Sequence, residues 1–301
     1  MKDFDYLEPA SIAEASEMML AHPDGSVMAG GTALMLALRQ RMVTPSHIIS
    51  LRRIRDLRGI TYTPAEGLRI GALALHAEVA RSPLVRQHAP MLADMASRLA
   101  NPQVRNQGTI GGNLCYGDPA TDPPSCLLAL NADVVLRSAH GTRILKVDQF
   151  ATDYFVTALE PGEIVSEIRI APSTFDTGYH ARFLRTAAEH RPLVNFAISL
   201  RKQGDVCADV RMVIGASTRV PTRLRKAEDL MKGKTVTARL AAEVAELGVS
   251  EIEPISDIRG DGSFRREMAR TVCRRTIEDL FNPAGSVATI CLASATSAFS
   301  S

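Results

Sequence analysis

Tryptophan is absent from the 301 residues, aromatics amount to 5%, and the charges nearly cancel, with 35 Lys and Arg against 33 Asp and Glu. A base-stacking platform needs aromatics set in a basic field, so nucleic acid is not an expected partner, and a net charge of +2 gives no pull toward an anionic membrane. The five cysteines, at 115, 126, 207, 273 and 291, form no C-x-x-C pair and have no histidine at metal spacing, so no zinc or iron–sulfur site is encoded. Long apolar runs are missing too: "GSVMAGGTALMLAL" is too short to span a bilayer, and the tail from Leu280 is mostly Ser, Ala, Thr and Gly. There is no G-x-G-x-x-G opening a βαβ unit, no G-x-x-x-x-G-K-[ST] and no G-x-S-x-G, which removes the Rossmann fingerprint, the P-loop and the serine-hydrolase elbow. The start, "MKDFDYLEPA", is acidic where a signal peptide would be basic and then apolar, which predicts a cytoplasmic protein.

What is present is an ordinary globular composition, 46% hydrophobic and 23% charged, in a length that suits two domains. Ser11 and Glu14 form a capping box for a helix that stops at Pro23 to Gly25. "SVMA", Gly30-Gly31 and "TALMLALRQR" read as strand, glycine turn and helix. "HIISL" and "LRIGALAL" read as strands, and "AEVARSPLVRQHAPMLADMASRLA" as helical pieces divided near Pro83 and again near Pro90. "ADVVLRS", "TRILKV" and "EIVSEIRI" suggest an antiparallel set with "SAHGT" as a hairpin turn; Ile164, Ser166, Ile168 and Ile170 share one side in a partial alternation. The pattern lapses at "APSTFDTGYH", which places a boundary near residue 175. Beyond it come strands in "ARFLRTA" and "DVRMVIGAST", the segment "NFAISLRKQ", and helices in "KAEDLMKGK", "ARLAAEVAELG" and "SFRREMARTVCRRTIEDLF". The arginines of that last segment are expected on an exposed face, and "LRRIRDLRG" on a solvated or partner-contacting surface. His76, His88 and His190 are dispersed and read as surface or satisfied histidines.

The chemistry gathers at two glycine pairs, Gly30-Gly31 and Gly111-Gly112. The second lies in "TIGGNLCYGDPATDPP", Thr109 to Pro124, which is expected to be an extended, kinked loop, since Gly costs about 1 kcal/mol and Pro about 3 inside a helix. Glycine permits positive φ and lets an anion approach backbone N–H groups, so the two pairs together can cradle a pyrophosphate. Thr109, Asn113, Asp118 and Asp122 add a hydroxyl, an amide and two acceptors that suit phosphate oxygens and sugar hydroxyls. Cys115 is expected to be a small buried residue.

"MAGGTALMLALRQR" followed by "NPQVRNQGTIGGNLCYGDPATDPP" resembles the FAD-binding medium subunit of the molybdenum hydroxylases, the xanthine dehydrogenase and carbon monoxide dehydrogenase group. "LEPGEIVSEIRI" is similar to that family's strand beside the flavin, and "VIGASTRVPTRLRKAEDLMKGK" to its C-terminal strand, Pro and helix; the resemblance runs to about Ala284. It implies an α+β fold: a PCMH-type FAD-binding domain of two subdomains over 1–175, a smaller α+β domain of the CO dehydrogenase flavoprotein type over 176–284, and a flexible tail over 285–301. It implies that Ala29, Gly30, Gly31, Thr32, Ala33, Leu34 and Met35, with Thr109, Ile110, Gly111, Gly112 and Asn113, carry the pyrophosphate and ribityl chain of FAD. By the same resemblance Asp122 is the acidic residue next to the cofactor and Val165 an apolar contact to the flavin region. Arg185 matches a basic position that stabilises charge on the reduced ring, with Arg182 and Arg191 as alternatives because "RTAAEHRPLVN" departs from the family pattern; Tyr116 can shield the ring or simply fill space.

The implied role is electron transfer. Electrons come from [2Fe-2S] clusters on a small subunit and leave for NAD, a quinone or oxygen, while a large subunit with the molybdenum cofactor hydroxylates the substrate, in a heterotrimer or a dimer of heterotrimers. No catalytic base, nucleophile or metal is expected on this chain. A stand-alone flavoprotein oxidoreductase and a scaffolding subunit without flavin are the two other readings.

Overall fold

A computed structural model describes residues 2–186 and 189–281; the tail from 285 and Cys291 lie outside them. The architecture is α+β, with two units built around three principal sheets. The first helix, Ile12–Ala21, starts where Ser11 Oγ accepts the Glu14 N–H at 3.1 Å. The Glu14 carboxylate accepts in return from Ala10 N–H at 2.7 Å, one residue earlier than in a reciprocal capping box. This helix packs against a parallel sheet ordered Asp5–Leu7, His47–Ser50, Ser26–Met28. "LRRIRDLRG" forms two tight 3-10 turns that bury Leu51, Ile54 and Leu57 and leave Arg52, Arg53, Arg55 and Arg58 exposed.

The second sheet is antiparallel, in the order Ile60–Thr63, Gly67–Gly71, Ile164–Ile170, Asp133–Ser138, Gly141–Lys146. Its central strand carries a register shift between Val165 and Glu167, which explains the partial alternation: Ile164, Val165 and Ser166 are all buried, and alternation resumes at Ile168 and Ile170. "LRIGALAL" is strand only as far as Gly71. Helices His76–Arg81, Pro83–His88 and Pro90–Arg98 cover this sheet, and each of the last two opens on its proline, where a missing N–H costs nothing.

The second unit is an antiparallel sheet, Thr177–Phe183, Val194–Gln203, Val206–Gly215 and Thr222–Arg223 in that order, backed by helices Arg225–Met231, Ala238–Ser250 and Gly262–Phe281. Phe196, Ile198, Met212 and Ile214 face those helices, whereas Ala197 and Val213 belong to the core of the first unit. The last helix departs from the expected exposed basic face at Arg265. That residue is fully buried, donates to the Ala216 carbonyl at 2.9 Å and pairs with Asp257 at 2.6 Å, so its charge is neutralised in place by a partner from the preceding loop. Among the described residues no helix is long and apolar enough to cross a membrane.

Candidate functional site

Strand Ser26–Met28 runs out into Ala29-Gly30-Gly31-Thr32-Ala33 and then the short helix Leu34–Arg39. Gly31 sits at φ +73°, and every residue from Ala29 to Met35 is half-buried. The N–H groups of Gly30, Gly31, Thr32, Ala33 and Leu34 meet no acceptor among the described residues. A run of unpaired backbone N–H groups in a turn forms a concave anion site.

The second glycine pair corrects the expectation of an extended loop: Ile110–Tyr116 is a helix, and a second one, Pro123–Ala129, follows Asp122. Thr109 Oγ1 caps the first by accepting from Gly112 N–H at 3.0 Å, and Gly117, at φ +65°, ends it. Packing overrides propensity here, because a Cβ on Gly111 would lie 2.6 Å from the Ala72 Cβ. The backbone of this segment is already committed. Ile110 and Gly111 donate to the carbonyls of Ala74 and Ala72 at 3.0 and 2.9 Å, and Asn113 donates to that of Thr109 at 3.0 Å. Its contribution to a ligand is therefore close approach and side-chain groups.

The two segments lie back to back. A Cβ on Gly30 would fall 2.1 Å from the Gln107 carbonyl oxygen, one on Gly108 would fall 3.3 Å from Thr32 Oγ1, and one on Gly112 would fall 3.3 Å from the Ala29 Cβ. Asn113 Oδ1 and Thr121 Oγ1 are buried without a hydrogen-bond partner among the described residues. Each such orphan costs about 1–3 kcal/mol unless something fills it. A turn of free N–H groups packed against the segment that carries the free Asn113 amide oxygen fits a ligand with a pyrophosphate and a polyol, as in FAD.

Asp122 is 2% exposed and is enclosed by the second unit. Arg182 Nε stands 3.1 Å from its Oδ2, Asn195 Nδ2 donates to its Oδ1 at 3.2 Å, and His180 Nε2 lies 3.7 Å away. Burial pushes this carboxyl up, while Arg182 and Asn195 pull it down. Burial, with Arg98 and Arg182 nearby, pushes His180 down to about 3, so its ring is neutral and its contact with Asp122 is polar rather than ionic. Sequence reasoning missed His180, Asn195 and Thr121. The strand period of two was a usable signal for the first, since it puts His180 and Arg182 on one face.

The three arginines near the junction sort onto three carboxylates. Arg182 takes Asp122, Arg191 Nη2 reaches Asp118 Oδ2 at 2.9 Å, and Arg185, which is exposed, donates through Nε to Glu189 at 2.7 Å. Val165 is 2% exposed in the main core. Cys115 is exposed rather than buried, unlike Cys126, Cys207 and Cys273. The Tyr116 ring meets Phe155 edge-on, with centroids 5.3 Å apart. Among the described residues no group of three His, Cys, Asp or Glu side chains is placed to hold a metal.

Two buried histidines set an acid limit on the fold. His76, pushed down to about 4 by burial, and His180 stay neutral when folded but protonate in the unfolded chain below about 6.5. Their contribution is complete above that pH and falls by up to about 1.4 kcal/mol per pH unit for each group as pH drops toward 4. Asp122, raised in the fold, contributes with the opposite sign. Thermal midpoints should fall between pH 7 and 5, and His180→Asn should flatten that slope even if it lowers the midpoint overall; an unchanged slope would show that His180 is not the source.

Residues 2–173 match the family described as FAD binding domain in molybdopterin dehydrogenase, and residues 180–280 match the CO dehydrogenase flavoprotein C-terminal domain. The chain is similar to the nicotine 6-hydroxylase medium subunit of Paenarthrobacter nicotinovorans, 32% identical over 272 residues that cover 90% of this chain and 95% of that one. It is also similar to the carbon monoxide dehydrogenase medium chain of Hydrogenophaga pseudoflava, 31% identical over 277 residues, 91% of this chain and 96% of that one. Among solved structures, quinoline 2-oxidoreductase from Pseudomonas putida 86 matches with a TM-score of 0.89 and 30% identity over 94% of this chain and 99% of that one.

Proposed function

This chain belongs to the family of FAD-binding medium subunits of molybdenum hydroxylases, and we propose that it serves as the electron-transfer subunit of such a complex. In this reading it receives electrons from [2Fe-2S] clusters on a small partner subunit and delivers them to NAD, a quinone or oxygen, while substrate is hydroxylated on a large subunit that holds the molybdenum cofactor. The observation that carries the reading is the run of five unpaired N–H groups from Gly30 to Leu34, set against the Gly111-Gly112 segment.

Bound FAD supplies the exchange between two-electron and one-electron carriers; the protein binds, orients and tunes it. The Ala29–Met35 turn holds the pyrophosphate through its N–H groups. Gly111 and Gly112 keep the wall behind it thin, and the Asn113 amide oxygen and Thr121 hydroxyl take up the polyol. Asp122, Arg182 and Asn195 lock the second unit against the segment that carries Thr121, which fixes the site's far side. Arg182 supplies a buried positive charge there, and Arg191 a half-exposed one.

The test is the visible spectrum of the purified chain, followed by heat release and identification of the chromophore. FAD, and not FMN, is the expected product, and co-purification under native conditions should bring down two partners carrying iron and molybdenum. A colourless protein that also refuses added FAD would overturn the proposal.

A further inference from the structure

Where the two units meet, away from the glycine turns, lies a cavity of about 260 Å³. Its lining includes Tyr62, His88, Met91, Phe175, Asp176 and Ser199. Ligand sites usually begin at about 300 Å³, so this one suits a molecule of one or two rings. One wall is aromatic: the Tyr62 and His88 rings are stacked, with centroids 3.4 Å apart and planes at 6°.

The polar groups are few and specific. Ser199 is 2% exposed and its hydroxyl has no partner among the described residues. It pairs across the sheet with Gly178, which also lines the cavity and carries no side chain to cover that hydroxyl. The Asp176 carboxylate accepts the Thr177 hydroxyl at 2.9 Å and the Lys202 backbone N–H at 3.2 Å, one on each oxygen, which leaves each a free lone pair. No Lys or Arg is among the lining residues. Two cations in the neighbourhood lie outside the lining: the Lys202 ammonium donates to the Leu280 carbonyl at 2.6 Å, and Arg211, whose Nε has no partner among the described residues, donates through Nη1 to the Ala129 carbonyl at 3.1 Å while lying over the Phe175 ring. Acceptors without a lining cation disfavour an anion and favour a donor.

We infer that this cavity binds a small planar nitrogen base, a cation or N–H donor of amidine or amino-heterocycle type, with its flat body in the aromatic half and its N–H groups on Asp176 and Ser199. The linker from Ala171 to Asp176 forms part of the wall, so an occupant touches both units at once. The inference does not rest on the flavin reading.

Three probes of one shape and different charge test it on the full-length chain with its cofactor as purified: benzamidine, benzamide and benzoate, followed by saturation-transfer NMR and calorimetric titration. Benzamidine should bind more tightly than benzamide, and benzoate should not bind at the same concentrations. Asp176→Asn, at an exposed position where the fold is not at risk, should weaken benzamidine about threefold to fivefold and leave benzamide unchanged. Ser199→Ala should weaken both. Benzoate binding as well as benzamidine, or benzamidine binding that neither substitution alters, would overturn the assignment.

Discussion

Gly30→Val is expected to yield a folded chain that has lost its FAD. A Cβ at Gly30 would stand 2.1 Å from the Gln107 carbonyl oxygen and 2.9 Å from the Gly108 Cα, both backbone atoms that no rotamer change can move. The first turn must then swing away from the second segment, and the five N–H groups from Gly30 to Leu34 lose their common focus. Overpacking costs about 1–3 kcal/mol. A contact this short belongs at the upper end, so the affinity for FAD should fall by more than about tenfold. Gly112→Ala is the informative comparison: the nearest atom to its new Cβ is Thr109 Oγ1 at 2.7 Å, a hydroxyl that can rotate at the loss of one cap, worth about 1 kcal/mol. The ratio of flavin to protein absorbance reads both. If the valine variant keeps full occupancy while the Gly112 variant loses it, the pyrophosphate belongs on the second segment.

The largest effect on stability is expected from Arg182→Met. Arg182 is 9% exposed at its side chain, pairs with Asp122, and donates to the carbonyls of Arg98 and His190 at 2.7 and 2.9 Å. Its removal strands a buried carboxylate, which costs about 3–5 kcal/mol and lowers the thermal midpoint by about 10 °C or more. The loss should depend on pH. Without Arg182, burial pushes Asp122 still further up, so the folded variant binds a proton more tightly than the unfolded chain does, and its deficit shrinks as pH falls from 7 toward the ordinary carboxylate range. Adding Asp122→Asn should recover part of the loss at neutral pH. A double variant no more stable than the single one would place the cost in lost packing instead of stranded charge.

The elements of this fold were legible because their signals are local. Ser11 caps a helix, Pro83 and Pro90 divide the helical pieces, and Ile164–Ile170 alternates only in part, where the structure has a register shift. Both glycine segments were legible as well, and the structure sets them against each other. Their division of labour was not, because counting N–H groups requires knowing that Ala72 and Ala74 lend their carbonyls to one segment while the other stays free. The helix Ile110–Tyr116 was misread for the same reason: the contact with Ala72 that demands glycine comes from another element. The fully buried Arg265 was hidden because its partner Asp257 sits in a loop before its helix. Arg185 lies beyond the end of strand Thr177–Phe183, whereas Arg182 lies within it, opposite Asn195. Only that register tells which of the two meets Asp122.

The two family matches divide the sequence between residues 173 and 180, but the packing does not stop there. Asp122 belongs to the first unit and every side chain that satisfies it belongs to the second, while Ala197 and Val213 complete the first unit's apolar core. Expressed separately, the first half would lose the Arg182 and Asn195 side chains that hold Asp122 and would carry an uncovered hydrophobic face, and it should aggregate rather than fold. The intact chain should melt in one calorimetric transition, so the two halves inherit their stability jointly, and a destabilising substitution in either half lowers the melting temperature of both.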